Sequence, residues 1–182
     1  MDSTDTGQPG TRRVPVAVLV VAVIGGISLN AAHAQRASPA QCREALRPAL
    51  LQAEPDPAIL EDLRRLCAAQ AEAGDPDAVY GLSLLHLGMI DWQPDRAIAL
   101  MHRAAVDGVS EAQYWLAWQY EAGPLLDNDA SLALRWYRAA GDREHRLALR
   151  RLAAIYADGE LGVAPDATRA VAYRARAQRC EQ

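Results

Sequence analysis

The chain has 182 residues and a formal net charge of −4, from 23 acidic and 19 basic side chains, and every basic residue is Arg. The arginines are scattered among acids rather than gathered into a stripe, so the electrostatic footprint that holds a nucleic acid backbone is missing. No Lys is present, which also excludes nucleophilic mechanisms built on a Ser-Lys pair.

In chain order, residues 1–34 come first and read as an export signal. Met1 to Arg13 are polar and end in Arg12 and Arg13, Val14 to Leu29 carry no charge, and Ala32-His33-Ala34 places small residues where a signal peptidase reads them. Cleavage is predicted after Ala34, so that the mature chain begins at Gln35. The strongly apolar core runs only from Val16 to Ile24 before Gly25 and Gly26, whereas a spanning helix needs roughly 20 apolar residues. An uncleaved N-terminal anchor is the alternative, because nothing charged stands between Arg13 and Arg36. Both readings export the rest of the chain, to the periplasm or beyond the cell. Pro15 and Val16 stand where a twin-arginine signal wants a bulky apolar pair, which favours the ordinary secretory route.

Residues 35–58 are predicted to form an N-terminal segment with a capping helix. Ser38-Pro39-Ala40-Gln41 reads as a capped helix start, and the helix ends near Gln52, before Pro55 and Pro57. Pro48 lies inside it and should kink it. If the chain turns near Pro55, Cys42 and Cys67 face each other at equal height and can form a disulfide. Two unpaired buried thiols are the alternative. Cys180 is left over near the other end.

Residues 59–182 repeat. AVYGLSLLHLG from Ala78, AQYWLAWQYEAG from Ala112 and ALRRLAAIYADG from Ala148 share Ala, then Leu four residues on, then His or Tyr eight on, then Gly, with leading alanines 34 and 36 residues apart. Between them recurs a second stretch, around Ala97, Ala133 and Ala170, spaced by 36 and 37, with a weaker copy around Leu63. Apolar positions every four residues fall on one face of a helix, and period-two alternation is absent, so each unit is two helices. Asp75-Pro76 offers an N-cap with proline at the first helical position, and Ser110 with Gln113 offers a capping box. Gly88, Gly123 and Gly159 are predicted to end the first helix of each pair, with Pro94, Pro124 and Pro165 in the turns. Asp127, Asp129 and Asp166 read as helix-start residues. No single pair can bury its own apolar face, so the pairs must stack.

On these residues the units resemble Sel1-like repeats, relatives of tetratricopeptide repeats. Trp136-Tyr137 with Ala139-Ala140 carries the clearest match, Ala104-Ala105 with Gly108 repeats its end, and Gly159-x-x-Gly162-Val163 followed by Asp166 repeats its loop. His86 stands in place of a Tyr, and Leu100-Met101 in place of Trp-Tyr. The resemblance implies an all-α fold, a short right-handed α-solenoid of antiparallel helix pairs, and a protein or peptide partner held in its concave groove. Offsets 2 and 6 of each first helix oppose the core face, and in tetratricopeptide-like stacks that side lines the groove. This assigns partner binding to Tyr80, Leu84, Tyr114, Trp118 and Arg150, with Ala154 beside them. The alternative is that Tyr114 and Trp118 are ordinary core.

No HExxH, GxSxG, CxxC or glycine-rich phosphate loop occurs, and His86, His102 and His145 have no metal-site spacing. No catalytic residue, metal or cofactor is assigned. The expected function is a non-catalytic interaction scaffold or regulator of the bacterial cell envelope. A structural subunit of an envelope assembly and a cell-wall-directed enzyme are the alternatives.

Overall fold

The structure is a computed structural model and is described for residues 41–180. The export signal and the helix start at Ser38 to Ala40 lie outside the described residues. Eight helices follow in order: α1 (Gln41–Leu50), α2 (Pro57–Glu72), α3 (Pro76–Leu85), α4 (Pro94–Val106), α5 (Ser110–Ala122), α6 (Ala130–Asp142), α7 (Arg146–Asp158) and α8 (Ala167–Arg179). Each packs on the next, and α1 also packs on α3. Among the described residues the only extended pairing is a single bridge between Leu87 and Trp92. Short connections between neighbours that pack together make an antiparallel stack of helix pairs, which is an α-solenoid.

The helix starts follow from sequence chemistry. Asp56, Asp75, Asp129 and Asp166 occupy N-caps and accept from backbone N–H groups of the first turn, as short acceptor side chains at that position should. Pro57, Pro76 and Pro94 each stand at the first helical position, where the missing N–H costs nothing. Pro94 therefore opens α4 and does not lie in the preceding turn. The expected capping box at Ser110 is not formed. Val109 is the N-cap, Ser110 bonds Glu111 instead, and Gln113 turns inward to donate to the Ala105 carbonyl at 2.9 Å. Burial of Val109 against the core sets this arrangement. Asp127 caps no helix.

The expected glycine stops hold for two helices of three, with the left-handed conformation at one of them. Gly159 is left-handed at the end of α7. Gly123 ends α5 in an extended conformation, and α3 stops at Leu85 with Gly88 two residues beyond its cap. The turn that recurs is the one between pairs, where Gly74, Gly108 and Glu144 have φ of 93°, 97° and 57°. Glu144 adopts a conformation that disfavours a side chain, and Arg176 holds it through an ion pair.

The core is built from the repeat register. Ala78, Ala112 and Ala148 are fully buried, as are Leu116 and Leu152, while Ala104, Ala140 and Ala177 line the second helices. These alanines let neighbouring helices approach closely. Between pairs, Arg103 donates to the Ala71 carbonyl at 3.1 Å, Arg143 to Gly108 at 2.7 Å and Arg176 to Gly141 at 2.6 Å. Arg103 and Arg176 meet carbonyls in the last turn of the preceding second helix, and Arg143 meets one just past the end of α4, where orphan acceptors and the helix dipole favour a cation. A disulfide joins Cys42 of α1 to Cys67 of α2. α1 ends two residues after Pro48, so the proline closes that helix rather than kinking its middle.

Candidate functional site

Tyr80 and Leu84 lie on α3, Tyr114 and Trp118 on α5, and Arg150 on α7. The structure does not gather all five into one cavity. Tyr80 and Leu84 join Leu46 and Leu50 of α1 around a largely apolar cavity of about 220 Å³. Arg43 fastens its wall by donating to Asp77 at 2.9 Å and to Glu111. Burial, and then the nearby Glu111 carboxylate, pushes the Tyr80 hydroxyl up.

On α5 the two predicted residues part company. Tyr114 is half-buried in the joint between pairs, stacked on His145 with ring centroids 4.8 Å apart and 5.9 Å from Tyr137. Trp118 is 43 % exposed, which is unusual for so large an apolar ring. Arg150 is exposed and, with Ala154, lines a second cavity of about 370 Å³ shared with α8. The stripe read from the sequence is therefore two cavities, one at each end, with Trp118 on the helix between them. Trp92, 63 % exposed in the α3–α4 turn, is a further apolar ring on the surface. It falls outside both helical repeats, so periodicity gave no reason to single it out.

The polar clusters join repeats and are not set up for proton transfer. Tyr137 donates to Glu121 at 2.6 Å, Arg151 donates to the same carboxylate at 2.9 Å, and Arg151 also pairs with Glu160. Burial works to raise the Glu121 carboxyl, but the hydrogen bonds from Arg151 and Tyr137 outweigh it and hold the group below its usual range. Burial, then the bond to Glu121, pushes the Tyr137 hydroxyl far up, and Arg151's own hydrogen bonds to Glu121 raise its guanidinium. All three keep their ordinary charges at neutral pH, whereas a general acid or base would sit near it. His86 bonds Asp91 through Nδ1 at 2.7 Å and is buried in the core of its repeat. Among the described residues no group of three or more His, Cys, Asp or Glu side chains could hold a metal ion.

His145 gives the fold a pH dependence. It is the N-cap of α7, its Nδ1 accepts from the Ala148 N–H at 3.3 Å, and burial lowers its pKa from the ordinary 6.5, with Glu111 partly opposing. Burial lowers His102 as well. A histidine whose folded-state pKa is depressed gives stability that is complete above its unfolded value and lost as pH falls through the folded one. Glu121 and Glu111, both held below the ordinary 4.5, act in the same direction at lower pH. The thermal midpoint should therefore be flat between about pH 7 and pH 9, fall below about pH 6.5 and fall again below about pH 4.5. His145→Asn keeps an N-cap acceptor without the titration and should flatten the first decline. A midpoint that rises on acidification would contradict this assignment.

With this geometry in place, comparison with known proteins identifies the chain. The family model described as Sel1 repeat matches residues 76–107, 110–145 and 146–177. The chain belongs to the Sel1 repeat family. Among solved structures, the Sel1 repeat protein from Oxalobacter formigenes is 27% identical with a TM-score of 0.67, over 81% of this chain and 60% of that one. The protective antigen c5321 present in uropathogenic Escherichia coli strains, which displays an SLR fold, is 22% identical with a TM-score of 0.61, over 82% of this chain and 32% of that one. The second likeness is one of fold alone, and this chain spans less than two thirds of either protein. No curated protein matches.

The three Sel1 repeats coincide with α3–α4, α5–α6 and α7–α8. The pair α1–α2 lies before them and carries the disulfide. A Sel1 repeat solenoid is generally a protein–protein interaction scaffold and typically non-catalytic.

Proposed function

We propose that this Sel1 repeat protein is an exported, non-catalytic binding module of the bacterial cell envelope that holds a protein partner along its first helices. The observation that carries the reading is Trp118, a large ring left 43 % exposed on the middle first helix. Tyr80, Leu84 and Arg150, in the cavities at either end, extend the same surface, and Tyr114 supports it from within the joint. Aromatic and arginine side chains supply most of the binding energy of protein interfaces. A Cys42–Cys67 disulfide suits an oxidising compartment, and the signal pattern of residues 1–34 supplies the route to it.

The test uses the full chain as bait in envelope extract, with captured proteins identified by mass spectrometry. Trp118→Ala should abolish capture of the main partner, a loss of at least about tenfold in affinity for an anchor residue. The thermal midpoint should move by no more than a surface substitution moves it, about 0.5 kcal/mol. A large loss of stability with Trp118→Ala would instead place the ring in the core.

A further inference from the structure

Trp92 stands where no other repeat places a large ring. Counting back five residues from the buried alanine of each second helix, Ala97, Ala133 and Ala170, gives Trp92, then Asn128, then Pro165. Packing within the repeat therefore gives no reason for an indole here, and the ring is 63 % exposed. Its place is nonetheless fixed. The chain from His86 to Gln93 folds back on itself, with Gly88 donating to the Asp91 carbonyl at 2.9 Å and Gln93 to the His86 carbonyl at 3.0 Å. Asp91 ties the same turn together through its side chain, holding the buried His86 at 2.7 Å and accepting from the Gln93 amide at 2.6 Å. Gly88 has a φ of 110° and lies close to the indole: a Cβ there would meet Trp92 Cε3 at 3.8 Å. The exposed ring is thus carried by a turn that is hydrogen-bonded on both sides of it.

Beside the ring is an open cavity of about 360 Å³ walled by Trp92, Gln93, Pro94, Asp95 and Arg96, a size within the range of small-ligand sites. Asp95 and Arg96 both stand in the first turn of α4. An acid there suits the positive end of the helix dipole, and a cation does not. Arg169, at the equivalent position of α8, is paired with Asp166. Neither Asp95 nor Arg96 has a hydrogen-bonding or ionic side-chain partner among the described residues. Met89 and Ile90, the other apolar side chains of the turn, pack against the core, so the indole belongs to no wider apolar patch.

We infer that Trp92 and the first turn of α4 form a binding site for a neutral oligosaccharide of β-linked pyranose rings. Such a sugar carries hydroxyl groups around its rim and a flat face of axial C–H bonds, whose partial positive charge is drawn to the negative face of an indole. The Asp95 carboxylate and the Arg96 guanidinium then flank the rim, one accepting from hydroxyl groups and the other donating to them. Their charges cancel, which fits a neutral ligand. An anionic membrane surface is held by a surplus of basic side chains, and the cavity wall has none. A protein interface centred on Trp92 would bury a charged pair at its core, where charged side chains are depleted. The site shares no residue with the surface proposed for a protein partner and does not depend on it.

The experiment titrates the full chain with N-acetylchitotetraose and with cellotetraose by calorimetry, and uses saturation-transfer NMR to find which sugar protons touch the protein. At least one sugar should bind saturably through its axial ring protons, and salt should leave the binding unchanged because the ligand has no charge to screen. Trp92→Ala should weaken it by at least about tenfold, as loss of an anchor ring does. Arg96→Ala should weaken it by about fivefold, the loss of one hydrogen-bonding group. Both variants should keep the thermal midpoint within the range of surface substitutions. Val171→Ala, an exposed change on α8, should leave sugar binding unaltered. Absence of saturable binding to both sugars, or binding that Trp92→Ala leaves intact, would overturn the inference. So would binding to phosphatidylglycerol vesicles, or capture of an envelope protein, that Trp92→Ala abolishes, since the ring would then serve a membrane or a protein.

Discussion

Reducing the Cys42–Cys67 disulfide should release α1 from the stack while the three repeats behind it stay folded. The bridge closes a separation of 25 residues, for which loop-closure entropy corresponds to about 3 kcal/mol at room temperature. Beyond the exposed ion pairs of Arg43 with Asp77 and Glu111, α1 has little else to hold it: it is a short helix with Pro48 in its last turn, and its buried residues are Cys42, Leu46 and Ala49. Solenoid stability is close to a sum of pair and nearest-neighbour contributions, so the loss should be local rather than global. Hydrogen exchange on the reduced protein, or on Cys67→Ser, should show fast exchange across α1 and retained protection in α5 to α8. Uniform loss of protection along the whole chain would mean that the stack unfolds as one unit.

Gly81 extends the same argument to the next helix. A Cβ at this position of α3 would lie 2.6 Å from Leu46 Cδ1 and 2.7 Å from Cys42 Sγ. The equivalent first-helix positions are Trp115 and Arg151, so only the repeat beside the disulfide needs a residue without a side chain there. Gly81→Val should displace α1 and reproduce the exchange pattern of the reduced protein with the bridge intact.

The fold was legible because its information is periodic. Ala78, Ala112 and Ala148 share one helical face, and that face is the buried one. The ends of helices were harder to read, because their chemistry is decided by tertiary neighbours. Gln113 could have reached back to a cap, but the Ala105 carbonyl of the preceding helix is the better-buried acceptor. Gly88 could have ended α3, but the His86–Asp91 bond accompanies a tight turn that begins earlier. The site was legible only in part, for a related reason. Angular offsets separate one side of a helix from the other, but they cannot say which neighbour covers a given side chain. Tyr114 and Trp118 have nearly the same angle on α5, yet the N-terminal turn of α7 reaches Tyr114 and leaves Trp118 in solvent.

Tyr137→Ala should cost more than any surface change, about 3 to 5 kcal/mol, as truncation of a large buried aromatic does. The ring is almost wholly buried in the middle repeat, so removing it opens a cavity beneath Tyr114 and deprives Glu121 of one hydrogen bond. Tyr137→Phe keeps the ring and removes only the donor, which should cost about 1 to 2 kcal/mol because Arg151 still holds the Glu121 carboxylate. The two substitutions together divide packing from hydrogen bonding at the joint between the second and third repeats. Because Tyr137 lies in the central repeat, the Ala variant should weaken both flanking interfaces, so that α5 to α8 lose protection together while the disulfide-linked pair at the far end keeps most of its own. Denaturant unfolding of both variants gives the two costs, and exchange gives their spread. An Ala variant no less stable than the Phe variant would mean that the ring contributes no packing, and that Tyr137 serves the structure through its hydroxyl alone.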